Sequence, residues 1–292
     1  MIQVNNLFRK YKDFEALKDI NFHINRNESV ALLGLNGSGK STLIKIMTGI
    51  LYPTKGDIKV LGFTPYKRKR KFLKEITLIN PQKSRLIYDV SPMYNFKLFG
   101  SAYGLSSQKI NERVLNLAKM LNIESKLNNQ VRTLSFGERV KVETIAGLLH
   151  EPKIVFLDEP FVGLDFISRR ELTIFFKSVK QNSQVFMTSH IFQGIDIFTD
   201  RILLLHNSKL HEDITMTIFK QEIKNKMTLI AHTKYGMSLE APFIKRSLNE
   251  YFIVIEKEKI KDLVNKIEIK EGIEKIEIRI PELEDIIETK IK

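Results

Sequence analysis

Cysteine does not occur in the 292-residue sequence, which excludes disulfides and thiolate metal sites and leaves the redox compartment open. No stretch of about 18 consecutive apolar residues occurs, so no segment is suited to a bilayer-spanning helix. The opening residues, Met1-Ile-Gln-Val-Asn-Asn-Leu-Phe-Arg-Lys10, lack the charged-then-apolar order of a signal peptide, and the chain is expected to stay in the cytosol. Internal repeats, low-complexity tracts and nucleic-acid motifs are also missing.

The 43% apolar and 28% charged composition is that of a globular protein, and the length suits one large domain with a smaller one. The net charge of +13 is unevenly placed. Residues 212–292 carry 15 Lys+Arg against 16 Asp+Glu, whereas residues 1–211 carry 32 against 18. The densest basic run is Lys67-Arg-Lys-Arg-Lys71, which suits a solvated face and also an anionic lipid or nucleic-acid surface. Aromatic residues are not interleaved with these cations, so a stacking platform for single strands is not indicated.

Gly34-Leu-Asn-Gly-Ser-Gly-Lys-Ser-Thr42 matches the phosphate-loop pattern G-x-x-x-x-G-K-[ST] at every fixed position. The apolar run Ser29 to Leu33 precedes it as a strand, and Leu43 to Thr48 follows with apolar residues at helical spacing. The glycines let backbone amides turn inward, and the helix start adds its positive end, so Asn36, Gly37, Ser38, Gly39, Lys40, Ser41 and Thr42 are the expected cradle for a polyphosphate. Lys40 is expected at the β- and γ-phosphates and Ser41 on a Mg²⁺ ion. Upstream, Ile2, Val4 and Leu7, then Ile20, Phe22 and Ile24, alternate as paired strands, with Tyr11 between them as a candidate to stack on a purine.

Farther along, Gln82 follows the strand run Ile76-Thr-Leu-Ile79, and its amide suits a Mg²⁺ ion or a water. A helical stripe of Ile110, Val114, Leu117 and Leu121 leads to Leu134-Ser-Phe-Gly-Glu138. Lys153-Ile-Val-Phe-Leu157 reads as an interior parallel strand with two carboxylates at its C-terminal end, Asp158 and Glu159. Asp158 is expected to hold Mg²⁺ and Glu159 to act as general base. Gly163-Leu-Asp165 then turns into a helix expected to begin near Ser168, and His190 follows the strand Gln184 to Thr188. Taken singly, Gln82, Ser135 and His190 also suit surface, helix-capping and structural roles.

In order and spacing, the phosphate loop, Gln82, Leu134-Ser-Phe-Gly-Glu138, Ile154 to Pro160, Gly163-Leu-Asp165 and His190 resemble the ATPase subunit of an ATP-binding cassette (ABC) transporter. The likeness covers residues 1 to about 211. It implies an α/β P-loop NTPase fold with an antiparallel β subdomain and a helical subdomain at about 88–135, binding ATP and Mg²⁺. It further implies that His190 holds the γ-phosphate and the attacking water, and that Ser135, Gly137 and Asp165 act on ATP held by a second copy of the domain. Phe136 and Glu138 depart from the usual Leu-Ser-Gly-Gly-Gln signature. Residues 83–95, with turn formers at Pro81 and Pro92, resemble the docking surface for an integral-membrane permease, which implies a place at the cytoplasmic face of the membrane.

Arg201 to Leu205 is expected to be the last strand of that domain, and residues 212–226 read as polar and mixed. Residues 212–292 are expected to form a small accessory α+β module: a strand at Glu250 to Ile255, a helical stripe at Ile260, Leu263, Val264 and Ile267, and alternation through Ile276, Ile278 and Ile280. Pro281-Glu-Leu-Glu-Asp-Ile286 resembles the tail of the daunorubicin-resistance type of ABC exporter. The rival reading is a soluble cassette ATPase acting on nucleic acid or ribosomes. Against it, no long heptad insertion interrupts residues 43–130, and one cassette is present rather than two.

Overall fold

Apolar alternation pairs the first two strands, β1 (Ile2–Tyr11) and β2 (Phe14–Ile24), in an antiparallel hairpin whose facing residues include Ile2 with Ile24, Val4 with Phe22 and Leu7 with Ile20. The break in period at Asn5-Asn6 coincides with the first of three register shifts in this pair, and Asn6 takes the left-handed conformation (φ 45°) that asparagine tolerates. The computed structural model describes residues 1–190, 194–234, 239, 242–268 and 272–291. Among these the chain continues through β3 (Val30–Leu33), α1 (Lys40–Met47), β4 (Lys55–Val60), α2 (Arg70–Lys74) and β5 (Ile76–Ile79). A helical stretch follows, α3 (Pro92–Ala102), α4 (Ser107–Met120) and α5 (Phe136–Leu148), and then β6 (Ile154–Asp158), α6 (Phe166–Val179), β7 (Gln184–Ser189), β8 (Arg201–His206) and β9 (Lys209–Thr215).

Six strands form one sheet in the order β5-β6-β7-β3-β8-β9, with parallel pairing from β5 through β8. The strands β3, β6 and β7 are buried at every residue, as a sheet covered on both faces requires. A second sheet, β2-β1-β4, is antiparallel. One apolar cluster joins it to α1 and to the first sheet through Leu7, Leu17, Leu43, Met47, Phe156, Phe186 and Leu203. Each such fully buried side chain contributes roughly 1.5–3 kcal/mol, so the cluster holds the loop between β3 and α1 in a rigid frame.

Three local expectations need correction. Pro92 is no turn former but the first residue of α3, where its missing N–H costs nothing and Ser91 caps the helix. The helix expected near Ser168 starts at Phe166 because Asp165 accepts from Ser168 N and fixes the start. Arg201 to Leu205 is not the last strand of its sheet: β9 lies beside β8 at the edge, its burial alternating between exposed and intermediate.

Packing divides the chain into two compact units, Met1–Asp213 and Ile214–Lys292. The second contains α7 (Met216–Lys224), β10 (Lys226–Thr233), β11 (Ile244–Lys245), β12 (Glu250–Glu256), α8 (Ile260–Glu268), β13 (Ile273–Arg279) and α9 (Leu283–Ile291). Its sheet runs β11-β12-β10-β13, antiparallel throughout. Leu229, Ala231 and Ile253 on one face pack with Leu263, Val264 and Ile267 of α8. The other face carries Ile230 and Phe252, and α9 packs against β12. There Asp285, fully buried, accepts from Thr228, Arg246, Arg279 and the Glu282 amide.

Candidate functional site

β3 lies at the centre of the parallel sheet, and the loop leaving its C-terminal end opens directly into α1. Gly39 sits at the helix start with φ 111°, and a Cβ there would lie 2.4 Å from the Ala16 carbonyl oxygen, so only glycine fits. No side chain caps α1, which leaves its first amides free to meet an anion. Lys40 folds back over the loop. Its Nζ donates to the carbonyls of Gly34 (2.8 Å) and Leu35 (3.1 Å) and lies 3.2 Å from Glu159 Oε1.

The carboxylates come from the end of β6, two strands away, and each is held from more than one side. Asp158 is buried and accepts from Ser41 Oγ (3.1 Å), Asn80 Nδ2 (3.0 Å) and Thr188 Oγ1 (2.7 Å). Glu159 has φ 51°, a left-handed conformation that costs a non-glycine residue of order 1–3 kcal/mol. Its amide is fixed on Thr188 Oγ1 at 3.0 Å, and its Oε2 lies 3.0 Å from His190 Nδ1 and accepts from His190 N at 3.3 Å. The carboxylate thereby stands between the Lys40 ammonium and the His190 ring. Thr188 bridges both acids because it faces Asp158 across the β6–β7 pair.

These groups surround a cavity of about 490 Å³. Asn36, Gly37, Gly39, Lys40, Ser41, Thr42, Gln82, Glu159 and His190 line it, together with Phe14, Ala16 and Val162. Ser38 and Asp158 lie buried beneath it, and Ser38 Oγ has no hydrogen-bond partner among the described residues. Tyr11 is not brought to the cavity wall. The Arg9 guanidinium sits 4.4 Å from its ring centre, and the exposed aromatic facing the cavity is Phe14. Thr188, Asn80 and Phe14 escaped the sequence reading. The first two sit near motif residues, Asn80 two before Gln82 and Thr188 two before His190, but only strand register shows what they touch.

Ser135, Gly137 and Asp165 lie elsewhere, and none of them lines the cavity. Ser135 caps α5 in a reciprocal box, its Oγ accepting from Glu138 N (3.2 Å) and its own amide donating to Glu138 Oε2 (2.8 Å). Burial pushes the Glu138 carboxyl up, but the Ser135 amide and the Lys126 ammonium at 3.2 Å outweigh it and hold the group below the usual range. Gly137 faces the start of α6, where a Cβ would come 2.3 Å from Ser168 Oγ. Asp165 accepts from the amide and the hydroxyl of Ser168, which lower its carboxyl. Phe136 fills space beside Gly163 and carries the Arg139 guanidinium over its ring at 5.7 Å. Both departures from the usual signature therefore have a local structural use.

Comparison with known proteins adds the following. The family model described as "ABC transporter" matches residues 17–162, half of the chain. The chain is 33% identical over 211 residues to the "Probable multidrug ABC transporter ATP-binding protein YbhF" of Escherichia coli, covering 72% of this chain and 36% of that longer protein. It is 29% identical over 231 residues to the "SkfA peptide export ATP-binding protein SkfE" of Bacillus subtilis, covering 79% of this chain and 95% of that one. A solved ATP-binding subunit of an ABC transporter superposes with a TM-score of 0.68 at 27% identity, over 77% of this chain and 93% of its own.

Proposed function

From the premise that this chain belongs to the ABC transporter family of ATP-binding proteins, we propose that it is the ATP-hydrolysing subunit that drives export through a separate integral-membrane permease. The observation that carries the reading is one cavity in which a phosphate loop faces a supported pair of carboxylates and a histidine. The chain is an ATPase, with Asn36 to Thr42 receiving the phosphates on helix-start amides and Lys40. Binding requires Lys40 to leave Glu159 and the loop carbonyls for the phosphate oxygens, which frees the carboxylate. Glu159, held by His190 and by its Thr188-anchored amide, then accepts the proton of the attacking water.

The donors fit a hard cation. Ser41 and Asp158 lie 3.1 Å apart with oxygen ligands only, and Gln82 adds an amide oxygen at the cavity wall. Ser41, Asp158 and Gln82 would hold Mg²⁺, and the ion would supply charge neutralisation at the phosphates. Ser135, Gly137 and Asp165, away from the cavity, act on ATP held by a second ATPase subunit, so ATP fastens a dimer and hydrolysis releases it. Residues 83–95 dock the permease, and this places the chain at the cytoplasmic face of the membrane. The first compact unit, Met1–Asp213, is the nucleotide-binding domain expected at 1–211, and the second, Ile214–Lys292, is an accessory module of the daunorubicin-resistance type. The name of the Bacillus subtilis relative, a peptide-export ATP-binding protein, supports the direction of transport.

Glu159→Gln tests this directly. The variant is expected to bind ATP, to lose hydrolysis by about 10²-fold or more, and to accumulate as an ATP-dependent dimer by size-exclusion chromatography with light scattering. A monomeric variant with full activity would overturn the reading.

A further inference from the structure

The basic run from Lys67 to Lys71 has no part in the ATP site, yet the fold presents it deliberately. Pro65 and Phe72 at its two ends are buried, while all five cations between them are exposed. None of the five takes part in an ion pair among the described residues. One left-handed residue closes the turn that displays them, and a second, just after α1, lets the neighbouring chain pack against that turn. Arg68 has φ 44°, and Gly49 has φ 75° and lets its backbone approach Pro65 so closely that a Cβ would lie 2.3 Å from the Pro65 oxygen.

That approach brings a second stretch of chain to the same surface. Arg68 Nη1 donates to the Gly49 carbonyl at 3.1 Å, and the rings of Tyr52 and Tyr66 sit 5.2 Å apart, tilted by 36°. Arg9 Nη1 reaches the Tyr52 carbonyl at 3.1 Å, adding a sixth guanidinium or ammonium group at the margin. Ile50 and Tyr52 remain 51% and 61% exposed despite this pinning. The result is a rigid patch with an exposed isoleucine and two tyrosines inside a basic border.

We propose that this patch is a site of direct contact with anionic lipid headgroups. The cations supply attraction to phosphate-bearing headgroups, each worth about a fivefold gain in partition near an anionic surface. Ile50 and the tyrosines are of the kind that settle at the headgroup level, with an apolar body and, for tyrosine, a polar tip. Nucleic acid shares the phosphate chemistry, but Ile50, half-exposed within the basic border, offers nothing to a base or a phosphate and gains from the apolar boundary beneath headgroups, so the lipid surface is the better match. The inference does not rest on the transport reading, since it needs neither permease nor hydrolysis.

The test is flotation of the full chain with vesicles of phosphatidylcholine alone or with about one phosphatidylglycerol in three, in low and physiological salt. A variant carrying Lys67→Gln, Lys69→Gln, Arg70→Gln and Lys71→Gln leaves the Arg68 pin intact, and Ile50→Ser with Tyr52→Ser removes the apolar part. Wild type is expected to float only with anionic vesicles, the charge variant to bind at least about a hundredfold more weakly, and the Ser variant to bind more weakly at physiological salt. Binding of a fluorescent ATP analogue in the same samples confirms that the variants are folded. Equal binding to neutral vesicles, binding unchanged in the charge variant, or release of the vesicles by a low concentration of single-stranded RNA through tighter competing binding would each overturn the proposal. Failure here leaves nucleotide binding untouched, and failure of Glu159→Gln to arrest hydrolysis leaves flotation untouched.

Discussion

At Thr188 one hydroxyl serves both acids, donating to Asp158 and accepting from the Glu159 amide. Thr188→Val keeps the shape and removes both bonds, leaving a buried acceptor short of a donor and a strained backbone without its anchor. The expected cost is about 1–3 kcal/mol in chemical denaturation. A fall in kcat of roughly tenfold or more is expected with ATP affinity nearly unchanged, because the carboxylates lose position rather than charge. The phosphate loop and the acid pair were legible in the sequence because their chemistry fixes residue type at fixed spacing. Thr188 and Asn80 were not, because a supporting hydrogen bond can come from any strand end that register brings alongside. Tyr11 illustrates the reverse case: an aromatic at the right place in the hairpin turned to Arg9, while Phe14 took the cavity wall. Gly137 was read only through the family, and the structure adds a packing reason for it. Gly137→Ala should lower stability by roughly 1–3 kcal/mol through overpacking against Ser168, and adding Ser168→Ala should recover part of that loss.

The helix α5 begins at a residue that serves two readings, cap and phosphate contact, and the two can be separated. Ser135→Asp keeps a good N-cap, so the helix start and the melting curve should stay close to wild type. A carboxylate there would meet the phosphates across the proposed dimer and should abolish the ATP-dependent dimer in light scattering, whereas Ser135→Ala should lower stability by about 0.5–2 kcal/mol. If Ser135→Asp dimerises normally, the serine is only a cap. Among the elements, those with a clean period were readable: the first hairpin, α4, the buried parallel strands and, in the second unit, β12 and α8. Two of the elements that were not read lack that signal. The strand β9 is a half-exposed edge in which Glu212 takes an inward position between Leu210 and Ile214 and breaks the apolar alternation, and α7 is a short helix hidden in a stretch that reads as mixed.

For the whole molecule, the two compact units differ in what holds them. The first rests on a large apolar cluster around α1. The second is smaller and depends on a buried charge network in which Asp285 meets Arg246 Nη2 at 2.6 Å and Arg279 Nη1 at 2.7 Å. The tail motif containing Asp285 was visible in the sequence, but its work was not, since its arginines come from β13 and from the end of β11. Burial pushes the Asp285 carboxyl up, yet the hydrogen bonds from Arg246, Glu282 N and Thr228 prevail and hold it below the usual range. A group so depressed stabilises the fold fully above the ordinary carboxylate value of about 3.9, and that contribution is lost as pH falls through the lower, folded value. Asp285→Asn mimics the protonated state at neutral pH and leaves two cations short of a partner, at an expected cost of about 3–5 kcal/mol. Hydrogen exchange on the full chain checks this. The variant at pH 7 should lose protection in β10, around Thr228 to Ala231, while β6 and β7 keep theirs. Wild type should show the same pattern only on acidification below the ordinary carboxylate range. Equal loss of protection in β6 would mean that the two units unfold together, and unchanged protection in β10 would mean that the network contributes little to holding the second unit.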